Sequence, residues 1–146
     1  MDRVLDRLWI GSSRDLDGAV PLRALGFSAV VDLRDGEHPH LLGVLTYRLV
    51  NRDGDPWTPS SVEAALDFVH EHVRHGRVLV ACAAGMSRSV SIATAYLVRC
   101  GWDVAEALAR VREARPKIAP MPAMLEAALA GAVGISLPTT TKVSAR

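Results

Sequence analysis

The sequence has little net charge, no internal repeat and no long hydrophobic run. Lysine and arginine number 17 against 16 aspartate and glutamate, so the formal net charge is +1, with the two signs interspersed. This balance predicts neither a nucleic-acid partner nor a membrane-surface partner. No segment approaches the roughly 20 apolar residues that a membrane-spanning helix needs. Because Met1-Asp2-Arg3 leads into polar residues rather than a signal-peptide core, we expect a cytoplasmic protein.

Cysteine is scarce, and the metal-binding residues are scattered. The chain has 2 cysteines, Cys82 and Cys100, which we expect to be thiols rather than a disulfide. Twelve helical residues would put Cys100 about 18 Å from the segment around Cys82, so we interpret Cys100 as a helix-end thiol and not as its redox partner. His70, His72 and His75 lie close in sequence without a cysteine or aspartate cluster. We therefore predict no metal and no cofactor.

The remaining pattern predicts an α/β fold. The chain has 146 residues, 49% of them hydrophobic, which suits one domain with an ordinary core. Strand-like and helix-like segments alternate, and this order favours a central, mostly parallel sheet flanked by helices. The predicted strands are 8–11, 28–33, 47–50 and 77–81, and the predicted helices are 15–25, 58–76, 88–100, 103–115 and 122–130.

Local signals support several of these boundaries. Thr58 before Pro59 is a typical helix start. Asp103 with Glu106 predicts a capping box, and we expect Val104 of the following helix to face the core.

We assign one domain to residues 1–133. Residues 134–146 lack periodicity, and we expect them to form a mobile tail.

The most informative segment joins strand 77–81 to helix 88–100 and reads Cys-Ala-Ala-Gly-Met-Ser-Arg from Cys82 to Arg88. A short loop at a helix N-terminus directs unpaired backbone N–H groups into one space, where the helix dipole adds partial positive charge. This arrangement predicts an oxyanion site. The same field should lower the pKa of Cys82 and make it a nucleophile. Arg88 adds a planar fork of donors that matches two phosphate oxygens.

Cys82 through Arg88, with Ser89 after it, resembles the Cys-x5-Arg-Ser/Thr signature of the cysteine-based protein tyrosine phosphatases. The flanking Val-Leu-Val of 78–80 and Ala-Tyr-Leu of 95–97 are similar to the compact dual-specificity subfamily. The resemblance extends over most of the chain. It implies the phosphatase-like α/β fold, with the phosphate loop between the central strand and the next helix. It also implies a protein phosphatase that works through a phosphocysteine intermediate.

The resemblance assigns roles to residues of the loop. Cys82 would be the nucleophile, Arg88 would bind phosphate, and the hydroxyl of Ser89 would stabilise the departing sulfur. The phosphate would lie in a cradle formed by Ala83, Ala84, Gly85, Met86, Ser87 and Arg88.

The family also has a carboxylic acid about thirty residues before the nucleophile, on a loop that closes over the phosphate. Asp53, in the glycine- and proline-containing segment 51–59, fits that position best. Asp55 is the alternative, because its spacing to Trp57 resembles the loop of some members. Without the cysteine loop, either aspartate would be interpreted as a turn former.

Two positions depart from the family pattern. Ala81 replaces the histidine that usually precedes the nucleophile, and Met121 replaces an asparagine that braces the site. Both changes predict weaker activity than is usual for the family.

The substrate is the least specified part of the prediction. The loop has no lysine of the kind found in phosphoinositide-hydrolysing relatives, and the chain is too short for the segments that deepen the cleft of larger tyrosine-specific enzymes. We expect a monomer that hydrolyses phosphotyrosine, and also phosphoserine and phosphothreonine, in proteins and that takes phosphate or vanadate-like oxyanions in its site. The alternatives are a phosphatase for a nucleotide, RNA 5′ end, sugar or lipid ester, and a weakly active phosphate-binding module.

Overall fold

The computed structural model describes residues 1–51 and 56–133. Its strands form one 5-stranded sheet: β1 (Asp2–Leu5), β2 (Leu8–Gly11), β3 (Phe27–Asp32), β4 (Leu45–Arg48) and β5 (Arg77–Ala81). Across the sheet the order is β1, β2, β5, β3, β4. Strands β1 and β2 are antiparallel, and the other neighbours are parallel. The predicted central, mostly parallel sheet is confirmed, with β5 in the middle.

Helices cover both faces of this sheet unequally. The helices are α1 (Ser13–Leu16), α2 (Pro59–His72), α3 (Arg88–Arg99), α4 (Val104–Ala114) and α5 (Pro122–Val133), with a 3₁₀ turn at Leu22–Leu25. The four long helices pack on one face, and α1 and the 3₁₀ turn pack on the other. Helix α5 lies against α2 and α3, so α3 is enclosed between α5 and the sheet. No helix within the described residues has the length and apolar character to cross a membrane.

Strand β5 divides its side chains between the two faces. Val78, Val80 and the following Cys82 belong to the large apolar cluster under the long helices. Leu79 and Ala81 belong to the smaller cluster on the opposite face. Successive residues of a strand point to opposite sides. The thiol of Cys82 and the side chain of Ala81 therefore lie on different faces of the sheet.

The helix predicted over 15–25 is wrong. The structure has α1 and then, after a break, the 3₁₀ turn at Leu22–Leu25. Pro21 explains the break, because proline in a helix interior lacks the N–H donor and clashes with the preceding turn. Gly26 closes the 3₁₀ turn in the left-handed conformation, at φ 88°, as its position predicted.

Two smaller expectations also need correction. Strand β1 was not predicted; its four residues are too few to show a clear alternation. Val104 is 41% exposed rather than buried, and the inward face of α4 is formed by Ala107 and Val111. Val104 is the first residue of α4, directly after the cap Asp103, whose carboxylate accepts from Ala105 N at 2.9 Å.

Candidate functional site

The loop between β5 and α3 leaves the sheet at the carboxyl end of its central strand. At the start of this loop the thiol of Cys82 is 4% exposed. Gly85 N–H donates to Cys82 Sγ at 3.2 Å, and Ser89 Oγ lies 3.3 Å from the same sulfur. Burial alone would raise the pKa of Cys82. The hydroxyl and backbone of Ser89, with the backbone amides of Gly85 and Ser87, outweigh burial and lower that pKa below its ordinary value.

The outer side of the loop is held by backbone from other segments. Ser13 N–H donates to the carbonyl of Ala83 at 3.2 Å, and Ala119 N–H donates to the carbonyl of Met86 at 2.8 Å. Gly85 adopts φ 70°, a left-handed conformation that other residues rarely tolerate. With these carbonyls bound from outside and the amide of Gly85 directed at the sulfur, the loop forms a cradle of inward N–H donors.

Ala81 and Met121, the two positions that depart from the family pattern, bring no polar side-chain group to the sulfur of Cys82. Met121 donates its backbone N–H to Ser87 Oγ at 2.9 Å, while its side chain is exposed. The site is thus braced at this position by main chain. Ala81 is fully buried beside Leu16 and Leu22 on the opposite face of the sheet from Cys82.

Arg88 begins α3, and its guanidinium reaches the segment that follows β3. Its Nη2 donates to Asp35 Oδ2 at 3.0 Å, and its Nη1 donates to the carbonyl of Leu33 at 3.3 Å. Strands β3 and β5 are parallel neighbours, so their carboxyl ends meet at one edge. Sequence reasoning missed Asp35. The signal that could have found it is an acidic residue shortly after the strand next to the cysteine strand.

A closed network of ion pairs lies beside this cradle. The carboxylate of Asp32 accepts from Arg34 Nε and Nη2, each at 3.0 Å, and from Arg48 Nη1 at 3.1 Å. Arg34 Nη1 also donates to Asp17 at 3.1 Å. Asp32 and Arg34 are each 2% exposed. Burial would raise the pKa of Asp32, but the hydrogen bonds and charges of the arginines lower it below its ordinary value.

Several predicted residues lie away from the cradle or outside the described residues. Asp53 and Asp55, the two candidates for the general acid, fall outside the described ranges 1–51 and 56–133. Trp57, just after them, is 5% exposed and belongs to the large apolar cluster. Cys100 is a buried free thiol at the end of α3, and burial raises its pKa.

The histidines of α2 and its C-terminal turn have partners other than a metal. His70 Nδ1 lies 3.4 Å from the hydroxyl of Tyr96, and the ring of His72 packs against that of Phe68 at a tilt of 50°. Over the part of the chain that the structure describes, no three histidine, cysteine or acidic side chains group as metal ligands would.

The chain that carries this Cys82 loop matches known proteins over most of its length. The family model for the dual specificity phosphatase catalytic domain matches residues 8–127. This chain belongs to the dual specificity phosphatase family. The match extends from β2 through the first half of α5 and so includes the whole Cys82 loop.

Curated members of the family are similar over most of this chain. Dual specificity protein phosphatase 22-A of Danio rerio is 30% identical over 126 residues, which are 82% of this chain and 59% of that protein. Human dual specificity protein phosphatase 22 is 30% identical over 120 residues, 79% of this chain and 64% of that protein. The chain therefore spans about three fifths of the length of these relatives.

Solved structures of dual specificity phosphatases share the fold. The crystal structure of human DUSP28 superposes with a TM-score of 0.80 at 28% identity, covering 92% of this chain and 96% of that chain. A mouse putative dual specificity phosphatase, complexed with zinc tungstate, gives a TM-score of 0.77 at 28% identity, with 91% and 86% covered. The phosphatase-like fold implied by the sequence is confirmed.

Proposed function

We propose that this chain hydrolyses phosphate monoesters on proteins, on phosphotyrosine and also on phosphoserine and phosphothreonine. The observation that carries the proposal is the position of Cys82, whose sulfur accepts an amide N–H at 3.2 Å at the start of a loop that ends in Arg88. A thiol with a lowered pKa is the nucleophile that this chemistry needs. The family's curated members are named as protein phosphatases, which supports a protein substrate.

In the first chemical step, the thiolate of Cys82 attacks phosphorus in line with the bond to the leaving oxygen. The sulfur–phosphorus bond forms as the phosphorus–oxygen bond breaks. Loop amides and the guanidinium of Arg88 hold the three remaining oxygens, where charge accumulates. Asp53 gives its proton to the departing phenolate or alkoxide, so that it leaves as a neutral alcohol.

In the second step, water attacks the phosphocysteine. Asp53, now a carboxylate, accepts a proton from that water, and the sulfur–phosphorus bond breaks to release phosphate. The hydroxyl of Ser89, 3.3 Å from Cys82 Sγ, is placed to donate to the sulfur as it regains its negative charge. A donor at this position lowers the cost of the leaving thiolate.

The cradle also suits small oxyanions. The mouse relative was crystallised with tungstate, a tetrahedral oxyanion like phosphate. By the same chemistry we expect phosphate and vanadate to compete with substrate here. Between Cys82 and Arg88 the loop contributes no charged side chain. A highly charged inositol headgroup therefore meets fewer cations than it would need, which favours a protein ester over a lipid ester.

Steady-state hydrolysis of phosphotyrosine, phosphothreonine and phosphoinositide substrates tests this proposal. Cys82→Ser should remove turnover while phosphopeptide binding persists, because the loop amides and Arg88 remain. Cys100→Ser is the matched control, since that thiol is buried at the far end of α3, and it should leave turnover unchanged. Substantial turnover by Cys82→Ser would refute the cysteine mechanism. Phosphopeptide binding without turnover by the wild type would favour the phosphate-binding module instead.

Paired variants distinguish the two candidate acids. Asp53→Asn should slow phosphotyrosine hydrolysis by on the order of 10²–10⁴-fold, the range typical of acid–base catalysis, and should slow an activated aryl ester far less. Asp55→Asn should cost little and should keep the basic limb of the pH–rate profile. A flattened basic limb in Asp55→Asn, with a normal one in Asp53→Asn, would reverse the assignment.

A further inference from the structure

Arg115 contacts the phosphate loop from outside at Gly85, the glycine with positive φ. It is the C-cap residue that follows α4, and its Nη1 donates to the carbonyl of Gly85 at 3.3 Å. Its Nε pairs with Asp2 Oδ2 at 3.1 Å, and Asp2 begins β1. One guanidinium therefore links the edge of the sheet, the end of α4 and the loop around Cys82.

The fit between this guanidinium and the loop is tight. A methyl group added to the Cα of Gly85 would collide with Arg115 Nη1 and would lie 2.9 Å from the carbonyl oxygen of Gly11. Gly85 also has φ 70°. The position therefore requires glycine both for its conformation and for the approach of Arg115. Glycine alone offers little resistance to rotation of the adjoining peptide planes.

The carbonyl of Gly85 and the N–H of Met86 belong to one planar trans peptide and point in opposite directions. When Arg115 holds that carbonyl outward, the N–H of Met86 is directed inward, into the space that the loop encloses. The preceding amide, Gly85 N–H, already donates to Cys82 Sγ at 3.2 Å. Rotation of the Gly85–Met86 peptide would replace an inward donor with a carbonyl oxygen that repels anions.

Charge adds a second contribution. Among the outer contacts of the loop described above, those from Ser13, Ala119 and Met121 come from neutral backbone amides. Arg115 brings a full positive charge to the same loop, with a side chain 21% exposed. A cation on a carbonyl polarises the peptide and strengthens the N–H at its other end as a donor. Asp2 neutralises part of that charge and also fixes the plane of the guanidinium.

We propose that Arg115, oriented by Asp2, is a positioning residue that holds the Gly85–Met86 peptide with its N–H towards the bound oxyanion and so supports both phosphate binding and the Cys82 thiolate. The proposal rests on the proposed function, because it assigns Arg115 to the same phosphate site. Arg115 does not touch the reacting atoms itself.

Two measurements that need no turnover test this role. The pH dependence of iodoacetamide alkylation, followed on the Cys82 peptide by mass spectrometry, reports the thiolate. Protection of Cys82 from alkylation by inorganic phosphate gives the dissociation constant of the oxyanion. Arg115→Met should raise the alkylation midpoint and weaken phosphate binding by about tenfold, as expected for a charge-assisted hydrogen bond worth about 1.4 kcal/mol.

Arg110→Met is the matched control. Arg110 lies on α4, is similarly exposed at 23% and pairs with Glu113, and it also donates to the carbonyl of Arg3 rather than to the loop. It should change neither the alkylation midpoint nor the phosphate dissociation constant. Arg115→Lys keeps the charge but cannot bridge two partners with one planar group, so it should recover only part of both effects.

The outcomes separate this inference from a structural role and from the proposed function. If Arg115→Met lowers the melting temperature but leaves both Cys82 measurements at wild-type values, Arg115 is only structural and the inference is wrong. If Arg115→Met does not fold, Asp2→Asn and Arg115→Lys decide by the same measurements, with small shifts in the same direction expected and unchanged values overturning the role. Absence of turnover in the wild type would refute the proposed function, while alkylation and phosphate protection would still test Arg115.

Discussion

Strands β3 and β5 run side by side and end at the same edge of the sheet, yet their ends use charge in opposite ways. At the end of β3, the carboxylate of Asp32 accepts hydrogen bonds from both Arg34 and Arg48, and Arg48 Nη2 donates to the carbonyl of Arg34. After β5, the donors of the Cys82 loop converge on a sulfur and on the space in front of it. We call the first the closed region, because its charged side chains pair with one another, and the second the open region, because its backbone amides converge on a single sulfur.

The difference shows how one edge can provide both a rigid support and a binding site. Buried charges that satisfy one another leave nothing for a ligand to bind, and removing one of them exposes the other to an apolar surrounding. Amides at a helix N-terminus lack intrahelical acceptors, so they are free to donate to an anion, here the Cys82 sulfur or a bound phosphate. Arg88 lies between the two regions, because it starts α3 but contacts Asp35 and Leu33 of the segment after β3.

The largest effect should come from weakening the open region. Arg88→Lys keeps the charge but loses the planar fork, so phosphotyrosine turnover should fall by on the order of 10³–10⁵-fold, the range measured for arginines that stabilise transferring phosphoryl groups. The free energy of unfolding should change little, because lysine keeps the positive charge that pairs with the exposed carboxylate of Asp35. Steady-state kinetics and urea unfolding measure the two effects. Arg110→Lys is the control for both, and a large loss of stability in Arg88→Lys would mean that the open region is also structural.

Substitutions in the closed region should instead lower the free energy of unfolding. Arg34→Met leaves the buried carboxylate of Asp32 with Arg48 as its remaining ion-pair partner and should lower the free energy of unfolding by about 3–5 kcal/mol. Arg48→Met removes the more exposed partner of the same carboxylate, since the Arg48 side chain is 33% exposed. This variant should lose less free energy of unfolding than Arg34→Met. Urea unfolding at neutral pH measures both. Equal losses in the two variants would contradict the assignment of Arg34 as the centre of the network.

The ionisation of Asp32 gives a pH dependence to the same region. Its pKa is lowered in the folded protein, so its contribution to stability is complete above the unfolded pKa of about 3.9 and is lost as pH falls through the folded pKa. Asp32→Asn should therefore be less stable than wild type at pH 7, by about 1.5–3 kcal/mol, and the gap should narrow below about pH 4. Urea unfolding from pH 7 to pH 3 follows this gap. A constant gap over that range would show that Asp32 does not titrate as a stabilising carboxylate.

The open region was predictable from sequence, and most of the closed region was not. Cys82, Gly85 and Arg88 lie within seven consecutive positions, and a strand before and a helix after them are enough to predict their geometry. The charged network depends on contacts such as Arg34 with Asp17, 17 positions apart. Such pairs depend on how strands assemble, which a local pattern does not encode.

The same reasoning explains the errors in the fold. A clear cap located the start of the helix that follows Thr58, although the helix ends at His72 rather than at 76. The predicted helix over 15–25 is wrong because Pro21 cannot continue a helix interior. The contact of Arg115 with Gly85 could not be predicted from the sequence, since it spans 30 positions. Asp53 and Asp55, outside the described residues, remain sequence predictions.

The smallest expected effect concerns the histidine that this chain lacks. Ala81 faces the apolar cluster containing Leu16 and Leu22, whereas the Cys82 sulfur lies on the other face among amide and hydroxyl donors. An imidazole placed at position 81 would meet that cluster and not the sulfur. Ala81→His should thus shift the pKa of Cys82 by less than about one unit, equivalent to about 1.4 kcal/mol. It should also cost stability through overpacking.

Ala81→Leu is the matched control, because it adds comparable bulk without a ring nitrogen, and the pH dependence of Cys82 alkylation should be the same in both variants. A lower midpoint in Ala81→His alone would show that the imidazole acts on the loop through the backbone, and that the open region draws support from the far face of the sheet.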